Sequence, residues 1–256
     1  MTNLIKTDFS RLFKKLSFWV CLVIICGLSV FPLVMQKYWA TINNEEYTLT
    51  AENYLLSTNI VFIPLLIAIV AGIYVVKDFS DHTVRNKIVY GYSRTSIYIS
   101  NLMVSAFVAL FYFFASIAVT LIVGTPLLGI NTDMLFSGAR IYYILISIPH
   151  LLTYVSITLF FCMLMQSAGG AIIGYMIHEI MGIISSFTYF MENEKLKKFI
   201  EQFFPICQAD IIMQGFDEFL VMPSKTDMFI LPLYSMIIVV FFTVSGILLF
   251  RKSNIK

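Results

Sequence analysis

Long apolar runs alternate with short polar islands along this chain. Six runs, at 16–35, 57–76, 95–123, 141–165, 170–190 and 229–250, are close to or longer than the roughly twenty residues that carry an α-helix across a bilayer core. The expected fold class is therefore an all-α membrane protein with six transmembrane helices. Pro64 lies inside the second run and predicts a bend there. The third run is long enough to tilt or to extend beyond the bilayer, and Gly124-Thr125-Pro126 predicts its end. The fourth and fifth runs are separated only by Gln166-Ser167-Ala168-Gly169, which predicts a helical hairpin. Gly169, Gly170, Gly174 and Gly182, with Ser185 and Ser186, give the fifth helix a small surface, suited to close packing or to a translocation path.

Two stretches depart from this alternation. In 1–15, Leu4, Ile5, Phe9, Leu12, Phe13 and Leu16 share one half of a helical wheel, while Lys6, Ser10, Arg11 and Lys14 share the other. That pattern predicts an amphipathic helix lying at the membrane interface. Between the last two runs, 191–228 holds apolar clusters too short to span: Phe199, Ile200, Phe203 and Phe204, then Ile211, Ile212, Met213, Phe216, Phe219 and Leu220, punctuated by Pro205 and Pro223. A pair of short re-entrant or interfacial helices is expected there.

Composition agrees. The chain has 256 residues, 59% hydrophobic and 12% charged, with mean hydropathy +0.86, against about 25% charged residues in water-soluble domains. The first apolar run is of full span length with no small-residue cleavage site close behind it, so no cleavable signal peptide is expected. Charge sets an orientation. Lys6, Arg11, Lys14, Lys15, Lys77, Arg85, Lys87, Arg94, Arg251, Lys252 and Lys256 fall on one side of a six-span topology, joined there by Asp8, Asp78 and Asp81; most other acids fall on the opposite side. The positive-inside rule then places both termini in the cytoplasm.

Candidate chemistry is sparse. The four cysteines have neither Cys-x-x-Cys nor Cys/His ligand spacing, so neither a disulfide framework nor zinc is indicated. No Gly-Lys pair exists, hence no P-loop and no ATP site of that kind. His178-Glu179 fails the zinc-protease pattern because no second His follows at the required spacing. Glu179 is the one acid well inside an expected span, and with His178 it is a candidate for a substrate pathway or an ion relay. A structural hydrogen-bonding role for it stays open. So does a pathway role for the many Met and aromatic side chains, against ordinary lipid contact.

The densest polar island, 78–94, has internal order. Ser80 or Asp81 is placed to cap a short helix, Val84 and Ile88 share a face, Gly91 is suited to a left-handed stop, and Ser93 to capping the next helix. A solvated loop whose charges only fix topology is the plain alternative. Asp81-His82-Thr83-Val84-Arg85-Asn86-Lys87-Ile88, followed by Gly91-Tyr92-Ser93-Arg94, resembles a pattern in permease subunits of bacterial type-2 ABC exporters. Those carry an acidic residue, Gly-Thr, a β-branched residue, a basic residue and Asn, with Gly-x-Ser-Arg a few residues on. This chain has His82 in place of the Gly. The resemblance implies a single permease domain over 1–256 in the bacterial cytoplasmic membrane, with 78–94 as a coupling helix between spans 2 and 3. Asp81, Thr83, Val84, Arg85, Asn86 and Ile88 would dock a separate ATP-binding cassette subunit. ATP and Mg would be bound by that partner, this chain being no enzyme and binding no cofactor or nucleic acid. It further implies a second permease copy or related chain, and a hydrophobic or amphiphilic substrate such as an antimicrobial or secreted peptide. A stand-alone proton- or ion-coupled transporter using Glu179 is the alternative.

Overall fold

Once buried in hydrocarbon, a backbone must satisfy its own hydrogen bonds, and every regular element among the described residues is helical. The computed structural model describes residues 2–43, 50–186, 193–214, 216 and 225–253. Five helices have the length and apolar character of membrane spans: α2 (Leu16–Asn43), α3 (Ser57–Ser80), α5 (Arg94–Leu128), α7 (Gly138–Met165) and α11 (Lys225–Lys252). The protein is thus an all-α, multi-pass membrane protein. The fifth apolar run forms α8 (Ala168–Ser186), apolar and 19 residues long. Shorter helices are α1 (Thr2–Phe13), α4 (Thr83–Val89), α6 (Thr132–Leu135), α9 (Glu194–Phe203) and α10 (Pro205–Gln214). Expectations for Phe190, Phe219, Leu220, Pro223 and Lys256, and for the side chains of Ser185 and Ser186, lie outside the described residues.

The Gly124-Thr125-Pro126 break does not occur. Helix α5 continues through Pro126 and ends at Gly129, whose φ of 80° needs a residue without Cβ. The proline costs α5 one backbone hydrogen bond, to the Ile122 carbonyl, without ending it, and the Thr125 hydroxyl donates to the Leu121 carbonyl at 2.7 Å. Gly124 serves packing instead: a Cβ on it would lie 2.7 Å from that of Ala51.

Helix α7 is the centre of the bundle, packed by α3, α5, α8 and α11. Its buried hydroxyls mostly turn back on their own helix, as Ser147 does to the Tyr143 carbonyl (2.8 Å) and Thr153 to that of His150 (2.7 Å). The α7–α8 hairpin forms as expected, with Gln166 in the left-handed region (φ 52°) between the two helices. A Cβ on Gly174 would lie 2.7 Å from Thr158 Cα, and one on Gly170 would meet the Phe161–Cys162 backbone. The small surface of α8 is therefore used to bring the two helices into backbone contact.

The two ends of the bundle differ. One gathers α1, α4, the start of α5 and the end of α11, and is basic. The opposite end is latched by the turn Ala51–Tyr54, where Arg140 and Glu52 are 2% and 1% exposed and 3.7 Å apart. The Arg140 guanidinium also lies 5.2 Å from the Phe216 ring centroid. Short helices α9 and α10 pack together, with α10 against α8, α7 and α3 and its Cys207, Gln208 and Ala209 buried.

Gly170→Ala and Gly174→Ala are each expected to lower stability by about 1–3 kcal/mol, through overpacking of a backbone contact. Gly27→Ala, where a Cβ meets nothing within 4 Å, is expected to be neutral or mildly stabilising. Thermal unfolding in detergent checks all three.

Candidate functional site

The basic end is built from the 78–94 island. Helix α3 runs on to Ser80, so Asp81 terminates α3 rather than starting α4. The N-cap of α4 is His82, in the left-handed region at φ 52°, with no side-chain cap hydrogen bond; the expected caps Ser80 and Asp81 do not serve. His82 stands where the resembled motif carries Gly, and the positive φ supplies the physical reason for Gly there. Histidine is among the non-glycine types enriched in this region. At the far end, Gly91 (φ 87°) closes α4 as anticipated: its N–H reaches the Ile88 carbonyl (2.9 Å) and that of Tyr92 reaches Lys87 (3.1 Å). Ser93 caps α5, accepting from the Ser96 N–H at 3.1 Å. Arg94 donates to the carbonyls of Phe250 (3.2 Å), Arg251 (3.0 Å) and Ser253 (2.5 Å), pinning the end of α11.

Behind α4 lies a network that pattern reading did not single out. The Lys87 ammonium donates to both carboxylate oxygens of Asp8 (2.8 and 3.0 Å) and to Asp78 (3.1 Å). Arg11 donates to Asp78 through both terminal nitrogens, at 2.5 and 3.2 Å. Ser100 completes the Asp8 shell at 2.7 Å, and the Tyr74 hydroxyl donates to the Asp8 carbonyl at 2.8 Å. Both carboxylates are wholly buried and Lys87 nearly so. Two cations face two anions, so the buried charge is balanced, and every charge has several hydrogen bonds. Burial alone opposes the charge on Arg11, but hydrogen bonding and attraction to Asp78 hold its pKa above the ordinary value. These contacts join α1 to α3, α4 and α5 across sequence separations of 66 to 92 residues, and α3 to α4 across 9. A signal for them was present: Asp8 sits between Leu4 and Leu12 at four-residue spacing, and all three are buried.

The expected docking residues divide accordingly. Val84 is fully buried in the protein's own core and presents nothing to a partner, because it sits on the α4 face that carries Lys87 toward the bundle. Ile88 packs partly on the same core, and Thr83 is half-buried. Arg85 and Asn86 are exposed, as is Asp81 on the preceding turn. Val89 and Tyr90, unremarked in the sequence, are 78% and 82% exposed beside them. A cleft of about 610 Å³ opens next to His82, bounded also by Phe79, Ser80, Gln166, Ser167 and Ser253.

His178 and Glu179 are parted by their helix. His178 is buried, its ring 4.0 Å from that of Tyr154, which in turn contacts His150 at 5.0 Å. His150 lies 3.4 Å from the Gln208 side-chain oxygen, which also accepts from Ser235 at 2.8 Å, so α7, α10 and α11 meet at one polar point. Glu179 is exposed on the outside of α8, hydrogen-bonded to Tyr175 one turn earlier. Among the described residues no group of three or more His, Cys, Asp or Glu is arranged to hold a metal. No protein-family model matches the chain, and no curated protein matches it.

Lys87→Met is expected to lower stability by about 3–5 kcal/mol, since buried Asp8 loses both hydrogen bonds to an ammonium and keeps only Arg11 at 3.6 Å. Asp8→Leu combined with Lys87→Met recovers most of that loss, and Arg85→Met stays within about 0.5 kcal/mol of the parent. His82→Gly is expected to raise stability by about 1 kcal/mol and His82→Val to lower it, because only glycine enters the left-handed region without steric cost. Denaturant unfolding followed by circular dichroism reads each difference.

Proposed function

We propose that this chain is the six-span permease subunit of an ATP-driven exporter, with α8 as the span between α7 and the α9–α10 pair. Both termini then face the cytoplasm of a bacterium, and ATP is hydrolysed by a separate subunit. The supporting observation is the exposed face of α4. It is a short helix closed at its C-terminal end by the Gly91 turn and held from behind by buried charges, and it presents Arg85 and Asn86 with a contiguous exposed apolar pair, Val89 and Tyr90. A loop serving only topology requires neither a buried ion network nor an apolar tip. The motif resemblance supplies the kind of partner.

In this scheme the ATPase subunit grips α4, and α4 cannot move alone. Lys87 ties it to α1 through Asp8 and to α3 through Asp78. Displacement of α4 is carried to the interfacial helix and to the end of a span as one rigid piece. A second permease copy or related chain completes the pathway, and hydrophobic or amphiphilic peptides are the substrate class. A proton- or ion-coupled transporter is the second reading, favoured by one observation: a carboxylate, Glu179, stands exposed on an otherwise apolar helix, where lipid contact is costly.

Pull-down from native membranes in mild detergent separates the two. Wild type is expected to bring down an ATP-hydrolysing subunit, and Arg85→Glu and Val89→Asp to lose it at unchanged permease level. If no such subunit accompanies wild type, the exporter reading fails; transport driven by a pH gradient without ATP, and abolished by Glu179→Gln, then supports the second.

A further inference from the structure

Helices α3 and α8 pack together and touch closely at one point. A Cβ on Gly72 would lie 2.9 Å from that of Ala171. Along this contact runs an open groove of about 470 Å³, rimmed by the exposed side chains of Leu65, Ile69, Ile73 and Ile172. Its lining is apolar apart from Tyr175, which is hydrogen-bonded to Glu179, and, toward the basic end, Lys77 and Ser80. Lys77 is exposed and makes no ion pair among the described residues.

Lys15 lies within electrostatic reach of Lys77, its ammonium 5.9 Å from the centroid of the Tyr74 ring, which is buried on a different face of α3 from the groove. Burial, then repulsion from Lys77 and Arg11, holds the Lys15 pKa below its ordinary value, although Asp78 and Asp81 act the other way. Asp78 is already engaged by Arg11 and Lys87. The groove therefore combines an apolar trough with one lysine, Lys77, at its mouth, and a second, Lys15, stands close enough to repel it; neither makes an ion pair among the described residues.

We propose that this groove binds an anionic phospholipid, with an acyl chain lying between α3 and α8 and the phosphate held by Lys77 and Lys15. Charge selects this occupant. A zwitterionic lipid fills the trough but carries its own cation to the lysines. A second copy of this chain packed here about a two-fold axis sets like charge against like at the same depth. The site is independent of any ATPase, and needs only that the bundle stand in a bilayer.

Native mass spectrometry of the full chain, released from micelles holding equimolar dioleoyl-phosphatidylglycerol and dioleoyl-phosphatidylcholine, tests it. Wild type is expected to retain phosphatidylglycerol in preference to phosphatidylcholine. Lys77→Gln should weaken that preference by about 5-fold, and Lys15→Gln with Lys77→Gln by about 30-fold, at roughly one lipid-contact charge each. Lys77→Arg should keep it, which separates charge from folding. Ala168→Phe, placing a ring in the trough from an exposed position, should reduce retention of both lipids. Equal retention of the two lipids by wild type overturns the proposal, as does an undiminished preference in the double lysine variant. So does crosslinking of Ile69→Cys between two copies without bound lipid. As a second readout, wild type in nanodiscs should melt about 5 °C higher with phosphatidylglycerol than with phosphatidylcholine alone, and the double variant should show no difference.

Discussion

The shared demands of Asp8 and Asp78 govern the basic end of this protein. Each carboxylate is fully buried, and neither is tolerable there without a cation. Arg11, which grips Asp78, also stands 3.6 Å from Asp8, but among the described residues Lys87 is the cation hydrogen-bonded to both. Its position fixes the rest: α1 must lie across the ends of α3 and α5, α4 must turn its Val84 face inward, and Ser100 must stand at the first turns of α5. Hydrophobic burial would permit α1 to slide or rotate on the bundle. Directional hydrogen bonds at 2.7–3.1 Å do not.

Arg94 and the Gly91-Tyr92-Ser93-Arg94 run add a second constraint of the same kind. Every marked residue of that run has a structural duty: Gly91 ends a helix, Ser93 begins one, and Arg94 ties that beginning to the end of α11. A motif met in a protein with a binding function is easily taken for a binding motif. Here its second half shapes the backbone, and the surface left for a partner is the outward face of α4.

The sequence revealed most of the architecture, because length and hydropathy are what a bilayer demands of a helix. All six apolar runs became helices, the amphipathic start became α1, and the α9–α10 pair fell where short apolar clusters stood. What stayed hidden depends on neighbours distant in sequence. Lys87 reads as one more positive charge near a membrane; only the approach of Asp8, 79 residues away, makes it a core residue. Val84 reads as part of a presenting face until the direction of α4 is known. Pro126 reads as a stop, yet α5 runs past it and closes only at Gly129.

The Arg94 clasp bears on the order in which the molecule assembles. Its acceptors lie some 157 residues further along the chain. At ribosomal synthesis rates of about 5–20 residues per second, about 8–30 s separate the emergence of the two groups. Throughout that interval the guanidinium waits at the membrane surface with its eventual partners unmade. The α1–α3–α4–α5 knot, whose most distant member is Ser100, needs none of the later chain. The first half can thus be set before α7 exists, and the clasp closes last, as the final helix completes a bundle whose basic end is already in place.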